Sequence, residues 1–144
     1  MTSPAPQQTG VVVVDHGSRR DESNQLLLEV VAAYRQQASW GVVEPAHMEL
    51  AEPSIATAFG RCVAAGVRRV IVFPYFLSPG RHWSQDIPRL ASEAAALHGN
   101  IPYVVTAPLG LHLKLLAVID DRIEHCLAHL AGDRDACDLC RDDE

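Results

Sequence analysis

The sequence predicts an α/β fold: one unit built on a parallel sheet of about four strands with helices on both faces. Two observations carry that prediction. Apolar runs of strand length alternate four times with stretches of helical periodicity, and neither a repeat nor a linker breaks the alternation. The strongest run, VVVV at residues 11–14, is continuous instead of alternating, which is the mark of a strand covered on both sides.

The elements follow in order. After the valine strand, Leu27, Val30, Val31 and Tyr34 recur at helical spacing, and the helix should end before Trp40 and Gly41. A weaker strand is expected near residues 45–50, where Pro45 and His47 interrupt the apolar pattern. Pro53 is placed to open a second helix, since its missing N–H has no partner in a first turn. That helix presents Ile55, Ala58, Phe59, Cys62 and Val63 on one face and ends at Gly66. RVIVFPYF at residues 69–76 is the second strong strand, and LSPGRHWSQ is expected as the loop after it. Ile87, Leu90, Ala91 and Ala94 mark a third helix, and residues 101–106 a fourth strand. The last helix spans about residues 111–130, with Leu116, Ile119, Ile123 and Leu127 expected inward.

Composition narrows the function classes. The 144 residues are 48% hydrophobic and 21% charged, the balance of a globular domain with one core. The apolar runs fall far short of the roughly 20 residues that span a bilayer, so no membrane role is expected. A net charge of −6 argues against a nucleic-acid partner, because phosphate binding favours a basic face. The opening MTSPAPQQT has no basic or apolar signal region; residues 1–9 read as a flexible tail and the location as cytoplasmic.

In parallel sheets ligands bind beyond the carboxyl ends of the strands. His16 follows the first strand, Glu49 closes the second and His82 follows the third, with 33 residues at each step. Any one of them alone reads as an ordinary loop or capping residue. Three at equivalent strand ends read as a site, and two imidazoles with a carboxylate suit a borderline divalent cation such as Fe²⁺, Co²⁺, Ni²⁺ or Zn²⁺. The same groups can take protons from a substrate. Arg19, Arg20 and Arg81 flank the histidines, which on an acidic chain points to a polyanionic ligand. Gly17 and Ser18, ahead of a helix, are expected to offer backbone N–H groups to that anion. His47, two residues before Glu49, is a candidate for a supporting or substrate contact.

The segments VVVVDHGSRRDESN, EPAHMELAEPSI and VIVFPYFLSPGRHWSQDIP resemble the signatures of the short class II tetrapyrrole chelatases. DHGSRR, PGRHW and TAPLG are similar to the plant and cyanobacterial sirohydrochlorin ferrochelatase branch. The resemblance covers residues 10–130 and implies a chelatase-like domain that inserts Fe²⁺ into sirohydrochlorin to make sirohaem. It implies catalytic roles for His16, Glu49 and His82, with His16 and His82 as metal-binding groups and Glu52 as the reserve acid. Ser18, Arg19, Arg20 and Arg81 would meet the carboxylates of the ring. Because longer relatives fuse two such units, it also implies a homodimer. Which histidine holds metal and which takes a proton stays open, as does the choice of Fe²⁺ or Co²⁺.

Residues 131–144 form an acidic tail, poor in apolar groups and expected to be disordered alone. The tail carries Cys137 and Cys140, and the resemblance implies an iron–sulfur cluster on them; a mobile dithiol is the other reading. Cys62 is expected in the core. His125 and His129, one helical turn apart, could grip a metal or simply form a polar face. Three function classes follow. The first is a chelatase, with cobalt insertion for cobalamin as runner-up and nickel as outsider. The second is a non-catalytic metal carrier using Cys137, Cys140 and the His125/His129 pair. The third, a phosphohydrolase with His16 as nucleophile, lacks the arginine that histidine phosphatases place before that residue.

Overall fold

The computed structural model describes residues 3–78 and 80–141; for residues 81–83, 140 and 141 it describes the backbone alone. The chain divides into two compact units, residues 1–110 and 111–144. The first contains β1 (Thr9–Asp15), α1 (Asp21–Arg35), β2 (Val42–His47), α2 (Ile55–Ala64), β3 (Arg69–Pro74), α3 (Arg81–Leu97) and β4 (Tyr103–Val105). All strand pairs are parallel, in the order β2-β1-β3-β4. The α/β prediction therefore holds.

The interior position of β1 explains its four valines. Val12 and Val14 pack with Val70 and Val72 of β3 under Phe59 of α2 and Ile87 of α3. Val11 and Val13 point the other way, into a smaller cluster with Leu27 and Val31 of α1. One strand thus supplies both cores, so all four of its valines are buried. Pro45, which weakened the second strand in the sequence, is tolerated because β2 is an edge strand bonded only to β1.

Several boundaries differ from the sequence pattern. β2 ends at His47, so Glu49 lies two residues beyond it. α2 is capped by Ser54, whose side chain accepts from the Thr57 N–H, and Pro53 therefore precedes the cap. α3 begins at Arg81, so the second half of the expected loop is already helix. Arg81 and His82 stand in its first turn. The expected loose tail also has structure from residue 3. Arg69 donates to the Ser3 hydroxyl and the Pro4 carbonyl, and a 3-10 turn at Pro6–Gln8 leads into the buried Thr9. Cys62 is core, as expected, and burial beside Glu44 pushes its thiol up to about 12.

The second unit contains α4 (Leu113–Leu130) and a short α5 (Asp138–Arg141). Leu116, Ile119, Ile123 and Leu127, expected inward, are 45–61% exposed. Within its own unit, α4 has only the short tail to pack against. Residues 131–141, expected to be disordered, turn back on the helix instead. Gly132 at φ +81° makes the reversal, and Ala136 is buried. His125 donates from Nε2 to the Asp135 carbonyl (2.9 Å) and His129 from Nδ1 to the Arg134 carbonyl (3.2 Å). The two rings therefore hold the tail.

Candidate active site

The β1–β2 ladder does not stop where the strands do. Asp15 and His47 are its last register pair. Beyond them the Met48 N–H donates to the Asp15 carbonyl (2.8 Å) and the Glu49 N–H to the His16 carbonyl (3.1 Å). His16 and Glu49 are therefore locked side by side at the carboxyl rim of the sheet. Gly17 makes this closeness possible. Its φ is +83°, and a Cβ there would collide with the Glu49 carbonyl oxygen. His16 is exposed, with its ring edge-on to Phe76 at a centroid distance of 4.4 Å. Phe76 follows β3, so three strands contribute to the setting of this one imidazole.

Glu49 is exposed beside it. Glu52 is engaged elsewhere. Its Oε2 accepts from the Ser54 N–H (2.7 Å) and the Thr57 hydroxyl (3.0 Å), closing the start of α2. That leaves Glu49 as the better-placed acid. Gly80 caps α3, and His82 and Arg81 follow it at the helix start; their side chains lie outside the described residues, as does that of Cys140. Among the described residues no three His, Cys, Asp or Glu side chains converge as a metal cage.

The anion reading of residues 17 and 18 is corrected. The Gly17 N–H donates to Asp15 Oδ1 (3.0 Å) and the Ser18 N–H to Asn24 Oδ1 (2.9 Å). The Ser18 oxygen in turn accepts from the Arg20 N–H (3.0 Å). These donors build the loop. Arg19 and Arg20 are exposed and form no ion pair with the described residues.

Sequence reasoning only half found one feature. His47 is 1% exposed, and its Nδ1–H donates to Asp15 Oδ1 at 2.6 Å. The signal was two polar residues closing two apolar strands, but their pairing depends on register.

Comparison with known proteins bears on the same residues. The CbiX family model matches residues 10–126. The chain is 55% identical over 131 residues to the chloroplastic sirohydrochlorin ferrochelatase of Arabidopsis thaliana, covering 91% of this chain and 58% of that protein. A cobalamin (vitamin B12) biosynthesis CbiX protein from Marinobacter aquaeolei VT8 superposes with a TM-score of 0.73 at 27% identity, over 84% of this chain and 98% of that one. The sirohydrochlorin chelatase SirB of Bacillus subtilis, solved with cobalt, gives 0.74 at 28% identity, over 81% of this chain and 50% of that one. The chain thus spans little more than half of the Arabidopsis relative and half of SirB.

Proposed function

The chain belongs to the CbiX family, and on that premise we propose that it is a sirohydrochlorin ferrochelatase, inserting Fe²⁺ into the ring to make sirohaem. The observation that carries the reading is the fixed pair of His16 and Glu49 at the sheet rim, within a chain 55% identical to a plant ferrochelatase. We assign the activity to residues 10–130; the family match covers residues 10–126, most of the first unit and part of α4 in the second.

Insertion requires the metal to shed water and two ring N–H protons to leave, so the charge entering as M²⁺ is balanced by two protons released. An imidazole can hold the incoming ion or accept one of those protons. The roles of His16 and His82 divide along these lines, and Glu49 accepts a proton or balances charge. Arg19, Arg20 and Arg81 meet the carboxylates around the ring by charge-assisted hydrogen bonds. Cobalt insertion is the second reading, favoured by the cobalt bound to SirB and by the cobalamin context of the Marinobacter protein.

We infer a homodimer, because the matched part of this chain covers half of SirB, leaving the other half of that fold to a second copy. An iron–sulfur cluster on Cys137 and Cys140 is inferred as shared between two subunits. The second unit offers three thiols, with Cys126 exposed, Cys137 half-buried and Cys140, while a four-thiolate site needs four. When bound, such a cluster would supply redox sensitivity. Anaerobic iron and sulfide analysis with Cys137→Ser as control tests it. No helix among the described residues is long and apolar enough to cross a membrane, and we place the reaction in an aqueous compartment, plastid stroma or cytoplasm.

The deciding experiment mixes the chain with sirohydrochlorin and Fe²⁺, Co²⁺ or Ni²⁺ without oxygen, following the shift of the ring absorption on metallation. Fastest turnover with Fe²⁺ supports the first reading and fastest with Co²⁺ the second. A chain that binds metal but never the metal-free ring is a carrier.

A further inference from the structure

Building on the chelatase reading, we infer that Asp15 and His47 are positioning residues that set the spacing between His16 and Glu49. The buried imidazole of His47 closes β2, and its Nδ1–H donates to Asp15 Oδ1 at 2.6 Å. The same oxygen accepts from the Gly17 N–H at 3.0 Å. One carboxylate oxygen is thus held from the neighbouring strand and from the loop just ahead. His16 is the residue between Asp15 and Gly17, and Glu49 lies two residues past His47. Both candidate groups extend from the two ends of a single side-chain bridge.

A bridge of this kind is not needed to join the strands. Elsewhere β1 and β2 meet through pairs such as Val11 with Val43 and Val14 with Ala46, whose side chains need no hydrogen bond. Burying the His47 imidazole against the half-buried Asp15 carries a desolvation cost that an apolar side chain would avoid. The merit of the bridge is direction. A short charge-assisted hydrogen bond fixes an angle as well as a distance. Here the angle fixed is that of the loop bearing His16. Misplacing a reacting group by about 1 Å can lower a rate by about 100-fold. The pair therefore acts through its neighbours and touches no substrate itself.

The test uses the full chain. His47→Phe keeps a flat ring and removes the donor. His47→Asn places an amide nitrogen where Nδ1 stands. We expect His47→Phe to lower kcat by about 10-fold or more, with the KM for sirohydrochlorin within about twofold of the parent. His47→Asn should recover most of the loss. Co²⁺ titration without the ring, read from its visible absorption, should weaken in His47→Phe and recover in His47→Asn. Should His47→Phe fail to fold, Asp15→Leu removes the shared acceptor oxygen and should show the same split, while Asp15→Asn, which keeps that oxygen without its charge, should lose less. Parental kcat and Co²⁺ affinity in a folded His47→Phe overturn the inference, as does a folded His47→Asn that recovers neither. If the parent inserts no metal yet binds Co²⁺, the chelatase reading fails and the titration still judges the bridge. If it does neither, both fail.

Discussion

Two histidines of the first compact unit, His16 and His47, and two of the second, His125 and His129, are used in opposite ways. At the sheet rim, His47 is buried against a carboxylate while His16 is exposed beside Glu49. In the second unit, His125 and His129 both donate to carbonyls of the tail. The rim histidines are set by strands from distant parts of the chain. The helical pair is set by a turn a few residues away. A histidine becomes a site when long-range structure fixes its backbone and leaves the ring open; a histidine bonded to a local carbonyl is a clasp.

The sharpest break between the two pairs should come from truncation. His16→Ala is expected to lower metal insertion by about 100-fold or more while leaving the unfolding midpoint close to that of the parent, because the ring is exposed. His82→Ala should behave alike, and Glu49→Gln should slow turnover with ring binding retained. Initial rates beside thermal unfolding check all three. Parental rates in His16→Ala would remove the distinction between the pairs.

Gly17→Ala should damage the rim through its backbone. A side chain at φ +83° facing the Glu49 carbonyl is expected to cost about 3 kcal/mol and to reduce turnover as well. Denaturant titration measures the first and the insertion assay the second.

Arginine removal sharpens the comparison on the binding side. Arg19→Ala, Arg20→Ala and Arg81→Ala should each raise the apparent KM for the ring, by about 10-fold where one charge-assisted contact is lost. Added salt should weaken the parent's binding more than that of the variants. Unchanged KM in all three would mean that the ring carboxylates are met elsewhere.

The smallest effect on activity is expected in the second unit. His125→Ala combined with His129→Ala should leave insertion within about twofold of the parent, while protease cuts residues 131–137 faster. Limited proteolysis followed by mass spectrometry reads the clasp directly.

Much of this architecture was legible in the chain because periodicity is a local property. Four valines in a row announced a strand covered on both faces, and His16, Glu49 and His82 could be aligned as strand-end residues from the alternation of elements. The misreadings share a cause. Pro53 and the segment at residues 81–85 were placed by local signals, but Ser54 supplied the α2 cap and α3 began six residues before its apolar stripe. The N–H groups of Gly17 and Ser18 looked available because their acceptors, Asp15 and Asn24, are side chains whose direction no pattern encodes.

By itself the sequence determined the alternation of strands and long helices and the doubly covered central strand. Only the tertiary structure decided that Asp15 and His47, 32 residues apart, share a hydrogen bond, that Glu52 closes the start of α2 while Glu49 stands at the rim, and that the tail turns back on α4. The physical reason is range. A side chain's tendency to be buried follows from its own chemistry and the period of its neighbours, whereas a hydrogen bond between strands depends on register, which is fixed only when the whole sheet has formed.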